Sequence, residues 1–313
     1  MKLSIQTGDL TVQYGMEQGY RMIADAGFEA VDWNLDHALR FDDVKAAEKL
    51  EGLSIFEKGM DEILAFYAEE LSIMKKNNLV ITQAHAPFPP DLPGRPEVLD
   101  YSIALYDKMI RFCQIVGIPR LVIHGISKRE PYPEISQEEI KGLNDKMYES
   151  LIPALQECPD VTVCVENLFA HLTQIGFGFW AGVCSDPHEA AVYIDVMNEK
   201  AGRDNAFGLC LDTGHLNIAR IPFCRYIPIL GKRIVCLHIH DNLQNDDAHL
   251  MPYTGSVRWE EFVDELHKIG YDGDLNFETF MQTKMCRLPA ELCPQFLRIQ
   301  WEIGDYFRKK IIG

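Results

Sequence analysis

The sequence predicts an α/β protein of the (β/α)₈ TIM-barrel class, formed as a single domain over residues 1–313. Strand-like and helix-like segments alternate eight times along the chain, which is the count for a closed barrel of parallel strands. The segments that lead from a helix to the next strand are short, whereas those that lead from a strand to the next helix are long. Long loops therefore gather at the carboxyl ends of the strands, where barrels of this class carry their active sites.

Short apolar runs predict the strands, because a strand buried on both faces is apolar throughout. The runs lie at residues 3–7, 30–35, 80–84, 121–123, 161–167, 207–215, 234–242 and 274–280. Helices are predicted at about 16–26, 57–77 and 100–116, from 136, after 187, and at about 218–230, 259–269 and 290–308.

Helix ends carry recognisable signals. Ser136 and Glu139 form a capping-box pattern, and Asp186 followed by proline is a good start for a helix. Gly27 and Gly117 each follow a predicted helix, at the position where glycine adopts the left-handed conformation at low cost. These signals place the helix boundaries independently of the apolar runs.

Composition narrows the class of protein. The hydrophobic fraction of 47% can fill a large core, and the net charge of −17 argues against a nucleic-acid partner, since such partners are bound through basic surfaces. Nine cysteines without a CxxC pair are typical of a reducing cytoplasm. The sequence shows no signal peptide and no apolar run long enough to cross a membrane. We therefore expect a cytoplasmic protein without a membrane partner.

Four of the predicted strands end in carboxylates or imidazoles. The run 161–167 ends near Glu166, the run 207–215 in Asp212, the run 234–242 in His238 and His240, and the run 274–280 in Glu278. Because the carboxyl ends of parallel strands meet at one rim of a barrel, these side chains are expected to form one shared site. A divalent metal ion is the simplest group that such a set can hold.

The donor types indicate which ion and which chemistry. A set rich in carboxylate oxygen favours Mn²⁺, with Mg²⁺, Co²⁺ or Zn²⁺ as alternatives. An ion of this kind chelates neighbouring sugar oxygens and acidifies a C–H bond next to a carbonyl. Glu166 and Glu278 lie on different strands, so one can remove a proton and the other return one, which gives isomerisation or epimerisation through an enediolate.

The motifs VEN, LDTGH, LHIHDN and FET, in this order on a βα pattern, resemble the xylose-isomerase-like TIM barrels. The resemblance is greatest to the sugar phosphate isomerase/epimerase group, which includes ketose 3-epimerases and inosose isomerases. It implies a metal-dependent isomerase or epimerase of a sugar or cyclitol. It also implies that one divalent metal is held by Glu166, Asp212, His238 and Glu278, and that His215 contacts the substrate.

A second relative in the same superfamily is endonuclease IV, a zinc nuclease that holds three ions. Its additional ligands match His85, His124, His215, Asp247 and His249 here. In many sugar isomerases of the group several of these residues are kept, so His85, His124, His240 and His249 are also candidates for substrate binding. The acidic charge favours the sugar enzyme over the nuclease.

Two features bear on the substrate. Ketose 3-epimerases carry an arginine six residues after the metal-binding histidine, where this chain has Gln244, and the loop 252–255 departs from the pattern of the group. The segment 168–182 is rich in aromatic residues, and Trp180 is a candidate for stacking on the substrate. A third possibility is therefore a C-glycoside deglycosidase that acts with a small partner chain as a hetero-oligomer. Otherwise the aromatic segment is expected to serve a homo-oligomer contact.

Overall fold

The computed structural model describes residues 1–35, 38–128, 135–171, 179–279 and 288–313. The strands are β1 (Leu3–Gln6), β2 (Ala30–Asn34), β3 (Val80–His85), β4 (Arg120–Ile123), β5 (Thr162–Glu166), β6 (Phe169–His171), β7 (Phe179–Ala181), β8 (Phe207–Asp212), β9 (Ile234–His238) and β10 (Leu275–Phe277). Eight of them form one parallel sheet in the order β10-β1-β2-β3-β4-β5-β8-β9, and β6 pairs with β7 as a separate hairpin.

The ends of this strand order are joined to each other. Ile239, just after β9, forms a parallel bridge with Phe277 of β10. The amide of Ile239 donates to the Asn276 carbonyl at 2.8 Å, and the amide of Glu278 donates to the Ile239 carbonyl at 3.1 Å. This seam completes the ring of eight strands, so the predicted TIM-barrel class is confirmed.

The helices follow the strands in the expected alternation. They are α1 (Gly8–Tyr14), α2 (Met16–Ala26), α3 (Phe41–Ala46), α4 (Met60–Lys76), α5 (Glu97–Val116), α6 (Gln137–Glu157), α7 (Pro187–Ala201), α8 (Thr213–Ile218), α9 (Phe223–Leu230), α10 (Trp259–Ile269) and α11 (Cys293–Ile312), with 3₁₀ turns at Ile55–Glu57 and Gly231–Arg233. None of the helices in this described part of the chain is both long and apolar enough to cross a bilayer.

The predicted helix ends have the expected geometry. The Ser136 side chain accepts from the amide of Glu139 at 3.1 Å, and the Glu139 carboxylate accepts from the amide of Ser136 at 2.9 Å. Asp186 accepts from the amide of His188 at 2.7 Å. Gly27 and Gly117 are both left-handed, with φ of 104° and 83°. Local sequence therefore determines where these helices begin and end.

The structure differs from the predicted elements at several places. The helix predicted at 218–230 is α9, which begins only at Phe223, and residues 213–218, of which 213–215 were predicted as the end of a strand, form α8 directly after β8. Pro222 lies between them and cannot continue the first helix, because it lacks an amide hydrogen. Sequence analysis did not predict α1, α3 or the β6–β7 hairpin. The predicted last helix begins at Cys293 rather than Ala290.

The chain separates into two compact units by the density of its internal contacts. Unit 1 comprises residues 1–34, 69–82 and 210–313, and unit 2 comprises residues 35–68 and 83–209. Two of the four boundaries between the units fall inside strands. The boundary between residues 82 and 83 lies in β3, and the boundary between residues 209 and 210 lies in β8. The single domain over residues 1–313 stays a prediction, and the two units are described separately below.

Each unit has its own aromatic core. In unit 1, Trp259 of α10 stacks on Phe307 of α11 with ring centroids 5.4 Å apart. In unit 2, Phe56 packs edge to face on Phe112 of α5 at 5.6 Å, and Tyr67 lies 5.4 Å from the same ring. These side chains are buried, and rings of this size contribute most of the apolar area that stabilises a core.

Candidate metal centre

Unit 2 brings three of the predicted site residues together at the ends of β3, β4 and β5. The Nε2 atoms of His85 and His124 lie 3.4 Å and 3.2 Å from the same carboxylate oxygen of Glu166, whose side chain is buried. The ring of Phe88 stacks on the His124 ring with a centroid distance of 4.2 Å. We refer to His85, His124 and Glu166 as the unit 2 cluster.

The protonation of His85 is set by its backbone contact. Its Nδ1 lies 2.8 Å from the carbonyl oxygen of Ala86, and because a carbonyl only accepts, Nδ1 carries the proton. In the neutral ring the lone pair of Nε2 then faces the Glu166 carboxylate. Such an arrangement is stabilised when a cation lies between the nitrogen and the oxygen. The unit 2 cluster is therefore suited to a metal ion.

Unit 1 brings together the other predicted residues and two further carboxylates. We refer to these side chains as the unit 1 cluster, which consists of Asp32, Asp212, His215, His238, His240, Asp247, His249 and Glu278. All of them are buried except Asp247, which is partly exposed. They come from β2, from α8, from the ends of β8, β9 and β10, and from the loop that follows β9.

Asp212 occupies the centre of this cluster. One of its oxygens accepts from the amide of His215 at 2.6 Å, which caps helix α8. The other oxygen lies 2.9 Å from Nε2 of His240 and 3.9 Å from Nδ1 of His238. The position of the carboxylate is therefore fixed by a helix start, while its second oxygen is directed at the histidines.

His238 and Glu278 meet across the β9–β10 seam. Nδ1 of His238 lies 3.3 Å from a carboxylate oxygen of Glu278, in addition to its approach to Asp212. Two buried carboxylates thus crowd the same ring nitrogen. Carboxylates at such separation repel one another unless a positive charge is shared between them, so these three residues fit a divalent cation.

The LDTGH motif is explained by its contact with His240. The Thr213 hydroxyl donates to the His240 carbonyl at 2.8 Å and accepts from its amide at 3.0 Å. A Cβ atom on Gly214 would lie 2.0 Å from Cε1 of the His240 ring, so only glycine fits there. The motif therefore seats α8 directly against the histidine of the next strand.

His249 and Asp247 form the outer part of the unit 1 cluster. The His249 ring stacks on His240 at 4.0 Å, and its Nε2 lies 2.9 Å from Asp247. Burial lowers the pKa of His249, but the neighbouring carboxylates of Asp247 and Glu278 outweigh burial and raise the pKa to about 9. Asp247 also approaches His215, at 3.4 Å.

The pKa of Asp247 moves in the opposite direction. Burial raises it, but His249 and His215 hold it well below the ordinary value. Asp247 thus stays ionised beside these histidines.

Several sets of these side chains have ligand atoms within 4.8 Å of one another. Among the described residues, such sets within one unit are His85–His124–Glu166, Asp212–His215–His240 and His240–Asp247–His249. The strand-end residues that the sequence predicts are therefore gathered, each within its own unit. The Trp180 backbone belongs to β7, but its side chain and residues 172–178 lie outside the described residues.

Asp241, unlike the two histidines of the LHIHDN motif, holds a loop through hydrogen bonds. Its carboxylate accepts from the amides of Gly255 and Val257 and from the indole of Trp259, each at 3.0 Å. A Cβ on Gly255 would lie 2.3 Å from this carboxylate. Asp241 therefore holds the loop after β9 in place, which explains why the 252–255 loop ends in glycine.

Sequence reasoning missed Asp32. Its side chain is fully buried, and one oxygen lies 3.2 Å from Nε2 of His238 and accepts from Asn276 at 2.9 Å. Asp32 lies within the apolar strand Ala30–Asn34. An acidic residue within a buried apolar run is unusual, and this is the signal that could have identified it.

Comparison with known proteins agrees with this architecture. The profile of the xylose isomerase-like TIM barrel family matches residues 20–295, and the chain belongs to this family. The uncharacterized protein y4fM of Sinorhizobium fredii (strain NBRC 101917 / NGR234) is 23% identical over 279 residues, which cover 85% of this chain and 82% of that protein.

Two solved structures illustrate the likeness in fold. The 3-keto-D-glucoside 4-epimerase YcjR of E. coli has a TM-score of 0.67 with 15% identity and covers 99% of each chain. The D-psicose 3-epimerase of Clostridium cellulolyticum H10, solved with D-tagatose, has a TM-score of 0.67 with 14% identity and covers 98% of this chain and 99% of that one. At this identity the likeness establishes the fold.

Proposed function

We propose that the protein is a metal-dependent isomerase or epimerase of a sugar or cyclitol. The observation that carries the proposal is the approach of Asp212 and Glu278 to the same nitrogen of His238, inside a barrel rim. The family provides the second support, because structures of similar fold include sugar epimerases. Mn²⁺ is the favoured ion, since carboxylate oxygens dominate the donor set.

The proposed ligands are Glu166, Asp212, His238 and Glu278. Glu166 belongs to the unit 2 cluster and the other three to the unit 1 cluster. That all four bind the same ion is part of the proposal. When bound, the ion chelates neighbouring substrate oxygens and acidifies the C–H bond next to the carbonyl.

The remaining chemistry falls to the side chains. One of Glu166 and Glu278 takes the proton from the carbon next to the carbonyl, and the other returns a proton to the enediolate. His85, His124, His215 and His240 supply N–H groups and lone pairs for the substrate hydroxyls, and His249 supplies N–H groups. His249, whose pKa is raised to about 9, is cationic at neutral pH and suits an oxygen that gains negative charge.

Solvent exchange tests the reaction. The protein loaded with Mn²⁺ is incubated in D₂O with a panel of ketoses, ketose phosphates and inososes, and deuterium at the carbon next to the carbonyl is followed by NMR. At least one substrate is expected to gain deuterium. If no member of the panel gains deuterium with the metal-loaded protein, the proposed proton transfer is wrong.

Replacement of Glu278 by Gln tests the assignment of the acid–base pair. E278Q is expected to abolish exchange and to weaken Mn²⁺ binding, because it removes both a base and an anionic ligand. The matched control is E265Q, a change of a buried glutamate on α10 that pairs with Lys268 at 2.7 Å. Exchange that survives in E278Q at the wild-type rate would contradict the role of Glu278.

A nuclease of the endonuclease IV kind is the second candidate. The observation that favours it is the buried set His215–Asp247–His249 beside the proposed ion site, since additional ions need such additional ligands. The net charge of −17 weighs against a DNA partner. Three zinc ions per chain by elemental analysis, together with cleavage of an abasic duplex, would support the nuclease, and a single manganese ion would support the isomerase.

A further inference from the structure

Asp32 is a carboxylate that lies wholly inside unit 1. Its relative exposure is 0%. A buried carboxylate is costly unless positive charge or hydrogen-bond donors compensate it. One of its oxygens, Oδ2, accepts from the Asn276 amide at 2.9 Å and lies 3.2 Å from Nε2 of His238.

The imidazole of His238 therefore lies between two kinds of carboxylate. Its Nε2 faces Asp32, and its Nδ1 faces Glu278 at 3.3 Å and Asp212 at 3.9 Å. A neutral imidazole binds a cation through one nitrogen and carries its proton on the other. The two carboxylates on the Nδ1 side can share an ion with that nitrogen, which leaves the Nε2 side for the proton.

We propose that Asp32 is a positioning residue, which keeps the proton of His238 on Nε2 and thereby presents the Nδ1 lone pair to the metal ion. This inference rests on the proposed function, because it assumes that an ion is held by His238, Asp212 and Glu278. A carboxylate behind a metal-binding histidine fixes the orientation of the ring and increases its basicity as a ligand. Asp32 acts through His238 and contacts neither substrate nor ion.

Asn276 completes the arrangement from the other side. It lies on β10, two residues before Glu278, and its amide holds the Asp32 carboxylate. The register of the sheet pairs Ser4 of β1 with both Asn276 and Ala30, so Asn276 and the start of β2 flank the same residue of β1. Asp32 lies two residues beyond Ala30, opposite Gln6, and the hydrogen bond from the Asn276 side chain holds its carboxylate at His238.

Metal titration of D32N is the first test. The substitution keeps the volume but removes the negative charge, and the affinity for Mn²⁺, measured by electron paramagnetic resonance of the free ion, is expected to fall about 10- to 100-fold with unchanged stoichiometry. E265Q is the matched control, because it also converts a buried carboxylate of unit 1 to a carboxamide, and its affinity should equal that of the wild type. Equal affinity in D32N and wild type overturns the inference.

The tautomer of His238 is the second test, and it does not depend on whether D32N folds. In wild-type protein labelled with ¹⁵N at histidine and loaded with Zn²⁺, the His238 signals, assigned by their loss in H238Q, are expected to show a proton on Nε2 and none on Nδ1. A proton on Nδ1 overturns the inference. Wild-type protein that binds no divalent ion refutes the proposed function as well, whereas ion binding that D32N leaves unchanged refutes only the role of Asp32.

Discussion

At the scale of single residues, several site side chains serve structure and chemistry together. Asp212 caps α8 with one oxygen and faces His238 and His240 with the other. Gly214 is needed because the His240 ring occupies the space that a Cβ would fill. The LDTGH motif is therefore a packing unit as well as a source of proposed ligands, which explains why its polar residues follow an apolar strand without a break.

Replacement of Gly214 by Ala is expected to destabilise the fold by about 1–3 kcal/mol, because the added methyl group overlaps the His240 ring. The displaced ring should also weaken Mn²⁺ binding. Urea unfolding and metal titration measure the two effects.

The matched control for this change is G142A on the face of α6, where a Cβ would meet nothing within 4 Å. Its stability should rise by about 0.5–1 kcal/mol, since alanine favours a helix more than glycine does. A G214A protein as stable as the wild type would show that the ring moves aside freely.

Residues at the ends of apolar runs could be predicted from the sequence, because burial and strand direction together place them at the rim. Glu166, Asp212, His238 and Glu278 were predicted in this way, and the structure buries all four. Asp32 and Asn276 could not be, because each lies within a strand and its importance depends on pairing between strands far apart in sequence. The close approach of Gly214 to His240 likewise depends on three-dimensional packing.

At the scale of elements, the turn that precedes α4 is held by one glutamate. The Glu57 carboxylate accepts from the amides of Gly52 and Leu53 at 2.6 Å and 2.7 Å and from the hydroxyl of Tyr101 at 2.6 Å. Burial raises the pKa of Glu57, but these hydrogen bonds, that of Tyr101 first, outweigh burial and lower the pKa from its ordinary 4.5. The turn therefore depends on an ionised carboxylate.

This arrangement predicts how stability changes with pH. A lowered pKa in the folded state means that Glu57 stabilises the fold above pH 4.5 and that this stabilisation is lost as the pH falls below 4.5 towards the folded-state pKa. The difference in unfolding free energy between wild type and E57Q, from urea unfolding, should be largest at neutral pH and shrink under acid. In a Y101F background, which lacks one hydrogen-bond donor to Glu57, this difference in unfolding free energy should be smaller at neutral pH. A difference that is the same at every pH would contradict this account.

The helix caps and glycine ends were predictable because they depend on residues within one turn, such as Ser136 with Glu139. The β6–β7 pair was not predicted, because the aromatic-rich segment 168–182 was interpreted as a loop. Helix α8 was not predicted, since its cap, Asp212, was interpreted only as a strand-end ligand.

At the scale of the whole molecule, the fold supports one proposed ion with residues from many strands. An ion that binds the folded chain alone stabilises it by an amount set by its concentration relative to Kd. At a free Mn²⁺ concentration of about 100 times Kd, the gain is about 2.7 kcal/mol. Binding of the proposed ion would thus couple the proposed chemistry to the stability of the fold.

Calorimetry measures this coupling. The Tm of protein treated with a chelator is expected to rise on addition of Mn²⁺, and E278Q should show a smaller rise because one anionic ligand is gone. Three of the four boundaries between the units fall inside a helix or a strand, so a single transition is expected. A Tm that does not respond to Mn²⁺, Mg²⁺, Co²⁺ or Zn²⁺ would contradict the proposed centre.

The seam between β9 and β10 has a consequence for how the protein matures. His238 lies at the end of one strand of the seam, and Glu278 follows the other, which is the last strand among the residues that the structure describes. The full set of proposed ligands exists only after the last strand has been synthesised and has docked beside β9. Capture of the proposed ion therefore has to follow the docking of β10 beside β9 during folding.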